Sequence, residues 1–163
     1  MRTGKNGSYE LSAGQGEVVF LIKPSGWRVS TDKLNIPRFY YINDEQNAPT
    51  SVDFALYKSS ELRNFDVIIF GDPQVKTEKE VGYFAHDSVE EVMGTKAAFG
   101  VILGDIVFDN SSLYEDMNRC LSLIGINFYR LPGNHDMNYD APDDEHSLET
   151  YKSFYGPPYY SFD

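Results

Sequence analysis

Three short polar segments hold side chains able to bind divalent cations or move protons. They are Gly71-Asp72-Pro73-Gln74, Gly104-Asp105-Ile106-Val107-Phe108-Asp109 and Gly133-Asn134-His135-Asp136. Carboxylate and amide oxygens are hard donors that suit divalent cations, and one carboxylate can bridge two of them. Asp72 and Asp105 stand 33 positions apart, and Asp105 and Asn134 stand 29 apart. Each interval is close to the roughly 30 residues of one βαβ unit. A single Gly-Asp after an apolar run is an ordinary turn. Three such segments in order, each closing an apolar run, predict one metal-binding crevice beyond the carboxyl ends of parallel strands.

The elements that would position these loops can be read from hydrophobic periodicity. Phe65–Phe70, Ala98–Leu103 and Ile126–Leu131 are short apolar runs of the kind buried in parallel sheets. Between the first two, Val81, Phe84, Ala85, Val89 and Val92 recur at helical spacing, which predicts a helix over Glu78–Met93 ended by Gly94. Between the second and third, Leu113, Met117, Cys120, Leu121 and Ile124 form a second stripe, with Ser112 and Glu115 in a capping-box pattern and Gly125 as the stop. The β-α-β-α-β order predicts an α/β fold with a mostly parallel sheet. Cys120 falls on the inward stripe and reads as a core residue.

Residues 1–62 have a different character and read as a small all-β, sandwich-like module ahead of the α/β part at 63–163. Ser8–Ser12, Glu17–Pro24, Phe39–Asn43 and Val52–Lys58 are candidate strands. Turn-forming stretches at Ala13-Gly14-Gln15-Gly16, Pro24-Ser25-Gly26 and Asn47-Ala48-Pro49 separate them. Val52, Phe54 and Leu56 alternate with other residues, as one buried sheet face requires. No His, Asp, Glu or Cys cluster with ligand-like spacing occurs here, so a structural or substrate-positioning role is expected. Lys58 to Asn64 is a polar linker.

Composition narrows the function classes. The 163 residues are 41% hydrophobic and 15% aromatic, enough to bury a core. The formal net charge of −11 argues against general nucleic-acid binding, which needs a basic face. An acidic chain still handles phosphates where bound cations invert the local field. The longest apolar runs fall far short of a membrane span. A lone cysteine excludes an intrachain disulfide, and Met1 to Gly7 has no apolar region of the signal-peptide type.

The three loops resemble the first three motif blocks of the calcineurin-like metallophosphoesterases, which run Asp-x-His, Gly-Asp-x-x-x-Asp and Gly-Asn-His-Asp/Glu. In that family a lone His and a Gly-His-x-His follow. The resemblance covers roughly residues 65 to 163. A weaker likeness, at Trp27-Arg28-Val29-Ser30-Thr31-Asp32 and Phe39-Tyr40-Tyr41-Ile42, is to the β module that precedes the catalytic domain in some bacterial members. The resemblance implies a hydrolase that cleaves phosphate-ester small molecules with two divalent ions (Mn, Fe, Zn or Mg) and a metal-bound hydroxide. It implies Asp72 and Gln74 on the first metal, Asp105 bridging, and Asn134 on the second. It also implies His135 as proton donor to the leaving oxygen, Asp136 orienting its imidazole, and Asp109 shaping the loop.

There are two departures from the family pattern. Gln74 stands where the family usually has His, and an amide oxygen favours harder cations. The later histidines have no counterpart, since His86 and His146 match neither block, so a chain cut before its last motif blocks is expected. By analogy with the bacterial members, an exported, periplasmic location is the expectation. The competing reading is a truncated or degenerate, non-catalytic relative that binds metal weakly or serves as an interaction module. His86 reads as solvated, and His146 as part of an acidic surface loop. Tyr155-Gly156-Pro157-Pro158 reads as a turn into a last strand near Tyr159–Phe162.

Overall fold

The computed structural model describes residues 2–43, 49 and 51–163. The fold is α/β, with small antiparallel sheets near the N-terminus and a parallel sheet with helices after them. Near the N-terminus, β1 (Val18–Phe20) pairs with β4 (Tyr40–Ile42), and β2 (Trp27–Thr31) lies between β3 (Pro37–Arg38) and β5 (Leu56–Lys58). The candidate strand Ser8–Ser12 does not form. Its Tyr9 is tied by its side chain instead, the hydroxyl donating to the Val52 carbonyl at 2.5 Å. The alternation at 52–57 holds in burial, though only Leu56–Lys58 is a strand. Asn47 and Ala48 of the third expected turn lie outside the described residues.

The parallel sheet has the order β6 (Val67–Phe70), β7 (Phe99–Leu103), β8 (Phe128–Leu131), with Val67 opposite Phe99 and Gly100 opposite Phe128. The first crossover is helical from Glu78 to Val92: α1 (Glu78–Phe84), a π turn at Ala85–Val89, and α2 (Glu90–Val92). Thr77 caps it, its hydroxyl accepting from the Glu80 N–H, and the chain leaves it at Gly94 with φ +71°. The second crossover is α3 (Tyr114–Ser122). The Ser112–Glu115 capping box is not used, because the first turn is a 3₁₀ turn at Ser111–Leu113. Asn110 caps that turn, accepting from the Ser112 N–H at 3.3 Å. Both predicted stripes face one core with Ile102 and Phe128. Cys120 lies in that core, where burial pushes its thiol up to about 11.

The helix-covered face of this sheet is closed, whereas the other is covered at Tyr129 (8% exposed) but open at Ile69 (60%) and Leu103 (55%), contrary to the reading of its strands as fully buried. The last strand expected near Tyr159–Phe162 is also absent. After α4 (Glu149–Tyr155) the chain turns at Gly156, and the Tyr160 hydroxyl meets the edge of β8. It accepts from the Arg130 N–H at 2.9 Å and donates to the Arg130 carbonyl at 2.8 Å, so one side chain replaces a strand partner. The N-terminal sheets dock on the same region. Phe39 is 6% exposed, with its ring 4.8 Å from that of Tyr160 and 6.2 Å from that of Tyr129. The Tyr40 hydroxyl donates to the Phe154 carbonyl at 3.0 Å.

Candidate functional site

The loops after β6, β7 and β8 converge, and backbone hydrogen bonds stitch them together. The Gln74 N–H donates to the Asp105 carbonyl at 2.8 Å, Phe108 N–H to Val75 at 2.9 Å, and Asp109 N–H to His135 at 3.1 Å. The backbone is strained where they meet. Asp72, Gln74, Asp105 and Asp109 all have positive φ, between 46° and 61°, and among the described residues Asn35 is the one other non-glycine that does. Each such conformation costs roughly 1–3 kcal/mol and persists only where the surroundings over-determine it. Four of them in two adjoining loops, the first and the second, mark a built site.

Asp105 is at the centre. Its Oδ2 accepts from Gln74 Nε2 at 2.9 Å and its Oδ1 from the His135 N–H at 2.9 Å, so one carboxylate ties the first and third loops to the second. Gly133 lies so close that a Cβ there would stand 1.9 Å from Asp105 Oδ1, which excludes any side chain at that position. A carboxylate has about four lone-pair sites; two are engaged here and two remain free. With Nε2 bonded to Asp105, Gln74 keeps Oε1 as its free donor. Asp72 and Asn134 are exposed on the outer loops.

Two carboxylates and two amide carbonyls fit hard divalent cations in donor type. Among the described residues no three His, Cys, Asp or Glu side chains stand together to hold a metal, so these four donors are less than a closed shell.

His135 has a different partner from the one expected. Its Nδ1 lies 2.8 Å from Asp109 Oδ1, and its ring stacks on Phe108 with centroids 3.9 Å apart and planes at 23°. Lys76 Nζ covers the other face of Phe108 at 3.9 Å from its centroid. Asp136 cannot orient the imidazole, because its carboxylate is turned inward and 3% exposed. Oδ2 accepts from the Gly133 N–H at 2.9 Å and the Ile106 N–H at 3.2 Å, and Oδ1 from the Tyr114 hydroxyl at 3.0 Å. Desolvation pushes the Asp136 carboxyl above its ordinary range, and those hydrogen bonds oppose the rise. Asp136 therefore anchors the loop, and Asp109 does the orienting.

Sequence reasoning gave Asp109 only a loop-shaping role and did not register Phe108, Lys76 or Tyr114. Asp109 sits four residues beyond Asp105 in the same loop, so its type and spacing were visible; its pairing across 26 residues was not. His86 and His146 lie apart from the site: each is exposed and paired with a neighbouring aspartate, Asp87 at 2.9 Å and Asp143 at 2.5 Å.

A cavity of about 270 Å³ opens beside His135 and Asp109, with Tyr139 and Asp140 at its mouth. No described helix is long and apolar enough to cross a membrane.

Residues 1–59 match the family model described as the N terminal of calcineurin-like phosphoesterase. No curated protein and no solved structure matches the chain. The family match falls on the part that holds none of the candidate site residues, and the phosphoesterase family it supports agrees with the motif order of the other part.

Proposed function

We propose that this chain carries the opening half of a calcineurin-like metallophosphoesterase catalytic unit (63–163) behind a small β-sandwich module (1–62), of the bacterial, exported type, and that it hydrolyses small-molecule phosphoesters. One observation carries the reading: the three motif loops meet at the Asp105 carboxylate, which is bonded to Gln74 and to the His135 backbone at once. The family match at residues 1–59 supports it from a separate part of the chain.

In this reading Asp72 and Gln74 would hold one cation and Asn134 the other, with Asp105 between them as a shared carboxylate donor. Two divalent ions, when bound, supply positive charge to the phosphoryl oxygens and acidify a water. The chain's own residues do the rest. Asp109 holds Nδ1 of His135, which leaves Nε2 as the nitrogen that hands a proton to the leaving oxygen. Phe108 fixes the plane of the ring, and Asp136 pins the turn that presents Asn134 and His135.

A second reading, a degenerate relative that binds metal weakly as an interaction module, is favoured by the lack of three converging His, Cys, Asp or Glu side chains among the described residues. The deciding experiment is hydrolysis of bis-p-nitrophenyl phosphate by the complete gene product with Mn²⁺, run beside Asp105→Ala and Asn134→Ala. Loss of at least about a thousandfold in both variants, with circular dichroism unchanged, is expected where electrostatic stabilisation dominates the barrier. Turnover within threefold of the parent protein rejects the assignment, and an inactive parent protein establishes the second reading.

A further inference from the structure

We propose that the cavity beside His135 receives the departing alcohol, and that it selects an alcohol bearing an alkylammonium group, of the choline or ethanolamine type. Its place in a reaction rests on the phosphoesterase reading, whereas its ligand chemistry rests on the cavity alone. At about 270 Å³ the cavity is a little below the roughly 300 Å³ at which pockets begin to take drug-sized ligands, so a small alcohol is the right scale.

Two features of the lining choose the charge. First, neither Lys nor Arg lines it, while Asp109, Asp136 and Asp140 do. Asp109 is engaged with His135 and Asp136 with Tyr114 and two backbone N–H groups, but Asp140 is exposed and in no ion pair with any described residue. Second, the Tyr139 ring is 65% exposed at the mouth, and its hydroxyl donates to the Asn134 carbonyl at 3.1 Å, which tethers the ring beside the reactive loop. A tethered aromatic face beside a free carboxylate attracts an alkylammonium group through the ring quadrupole and the opposite charge. A second phosphate or a carboxylate on the leaving group would meet the free carboxylate of Asp140, with neither Lys nor Arg in the lining to balance it.

The chemistry balances as a hydrolysis. The P–O bond to the alcohol breaks with its electron pair passing to the alcohol oxygen, which takes a proton from His135 Nε2. Water supplies the oxygen of the new P–O bond, and its proton restores the imidazole. The products are a neutral hydroxyl on the amino-alcohol and the phosphate it left.

The test is binding, read by saturation-transfer NMR without turnover, with choline chloride, glycerol and glycerol 2-phosphate as probes. Choline is expected to bind and to contact Tyr139, glycerol to bind more weakly, and glycerol 2-phosphate not to bind. Asp140→Asn and Tyr139→Ala should each weaken choline by about fivefold, while Tyr139→Phe, which keeps the ring but loses its tether, should weaken it by less than Tyr139→Ala. Choline binding no tighter than glycerol, insensitivity to both substitutions, or equal binding of the anion would overturn the proposal. Hydrolysis of bis-p-nitrophenyl phosphate, measured in parallel, separates the two claims. Its absence strikes the phosphoesterase reading and leaves the ligand preference standing; its presence without a choline preference strikes the cavity alone.

Discussion

The two parts of this chain divide their roles unevenly. Residues 1–59 match a phosphoesterase family model yet contain none of the candidate site residues, and residues 65–163 contain all of them. The physics differs as well. The α/β part buries a continuous cluster running from Val75 to Tyr155, whereas the N-terminal part contributes Val29 and Phe39 as its buried hydrophobic side chains among the described residues. Two- to five-residue strands around so little apolar volume are marginal alone. The N-terminal sheets gain packing from the aromatic rings of Tyr129 and Tyr160 and a hydrogen bond to the Phe154 carbonyl. Family likeness can therefore sit on the part with the smaller core while the candidate site residues sit on the part with the larger one.

The sharpest way to break this comparison is at the contact. Phe39→Ala empties a buried aromatic site and should cost about 3–5 kcal/mol in urea unfolding. Both parts should unfold in one transition that moves to lower urea. Leu62→Ala, in the exposed linker, should stay within about 0.5 kcal/mol. Two separate transitions, with only the first displaced by Phe39→Ala, would show that the N-terminal sheets stand by themselves.

A smaller effect is expected inside the α/β part. Tyr114→Phe removes the hydroxyl that donates to Asp136 and should cost about 1–3 kcal/mol at pH 7. The pH dependence follows from the sign of the Asp136 shift. Its folded carboxyl titrates above the ordinary 3.8, so the stability tied to its protonated form is complete below 3.8 and is lost as pH rises through the folded value. Without Tyr114 the buried carboxylate is less well satisfied, so the folded value rises further. The gap between variant and parent should be widest at neutral pH and narrow below about pH 4. A gap independent of pH would mean that Tyr114 acts through packing alone.

At the site, Phe108→Ala should lower kcat by about tenfold with KM little changed, because it frees the imidazole plane without touching a phosphate ligand. Phe108→Tyr keeps the stacked face and should restore kcat to within about twofold; equal losses in both would reduce Phe108 to a packing role. The smallest signal concerns Cys120. With its thiol pushed up to about 11, a fraction on the order of 10⁻³ is thiolate at pH 8, so a disulfide reagent should label it only after unfolding. Rapid labelling of the native protein would place Cys120 outside the core.

How far the sequence could be read tracks the range of the interaction. Both crossover helices were legible, because Val81, Phe84, Val89 and Leu113, Met117, Leu121 repeat on a period fixed by the chain's own geometry. Strands β2 and β3 escaped, since Trp27–Thr31 is exposed at both its first two positions and Pro37–Arg38 is too short to show alternation. The Ser112–Glu115 cap misled because Asn110, two residues earlier, accepts from both the Ser112 N–H and the Ser112 hydroxyl.

The sequence by itself determined the types and order of the candidate donor residues. Asp72, Gln74, Asp105, Asn134 and His135 stand at βαβ intervals, and a chain with two amphipathic crossovers has few other ways to arrange three parallel strands. Only the tertiary structure decided which groups meet. That Asp109 rather than Asp136 faces His135, that Phe108 stacks on it, and that Asp136 turns inward to Tyr114 depend on left-handed residues at Asp105 and Asp109 and on a hydroxyl from another helix. A one-dimensional pattern sets residue types and spacings, but a side chain's direction at a strained loop is set by the neighbours that hold it there.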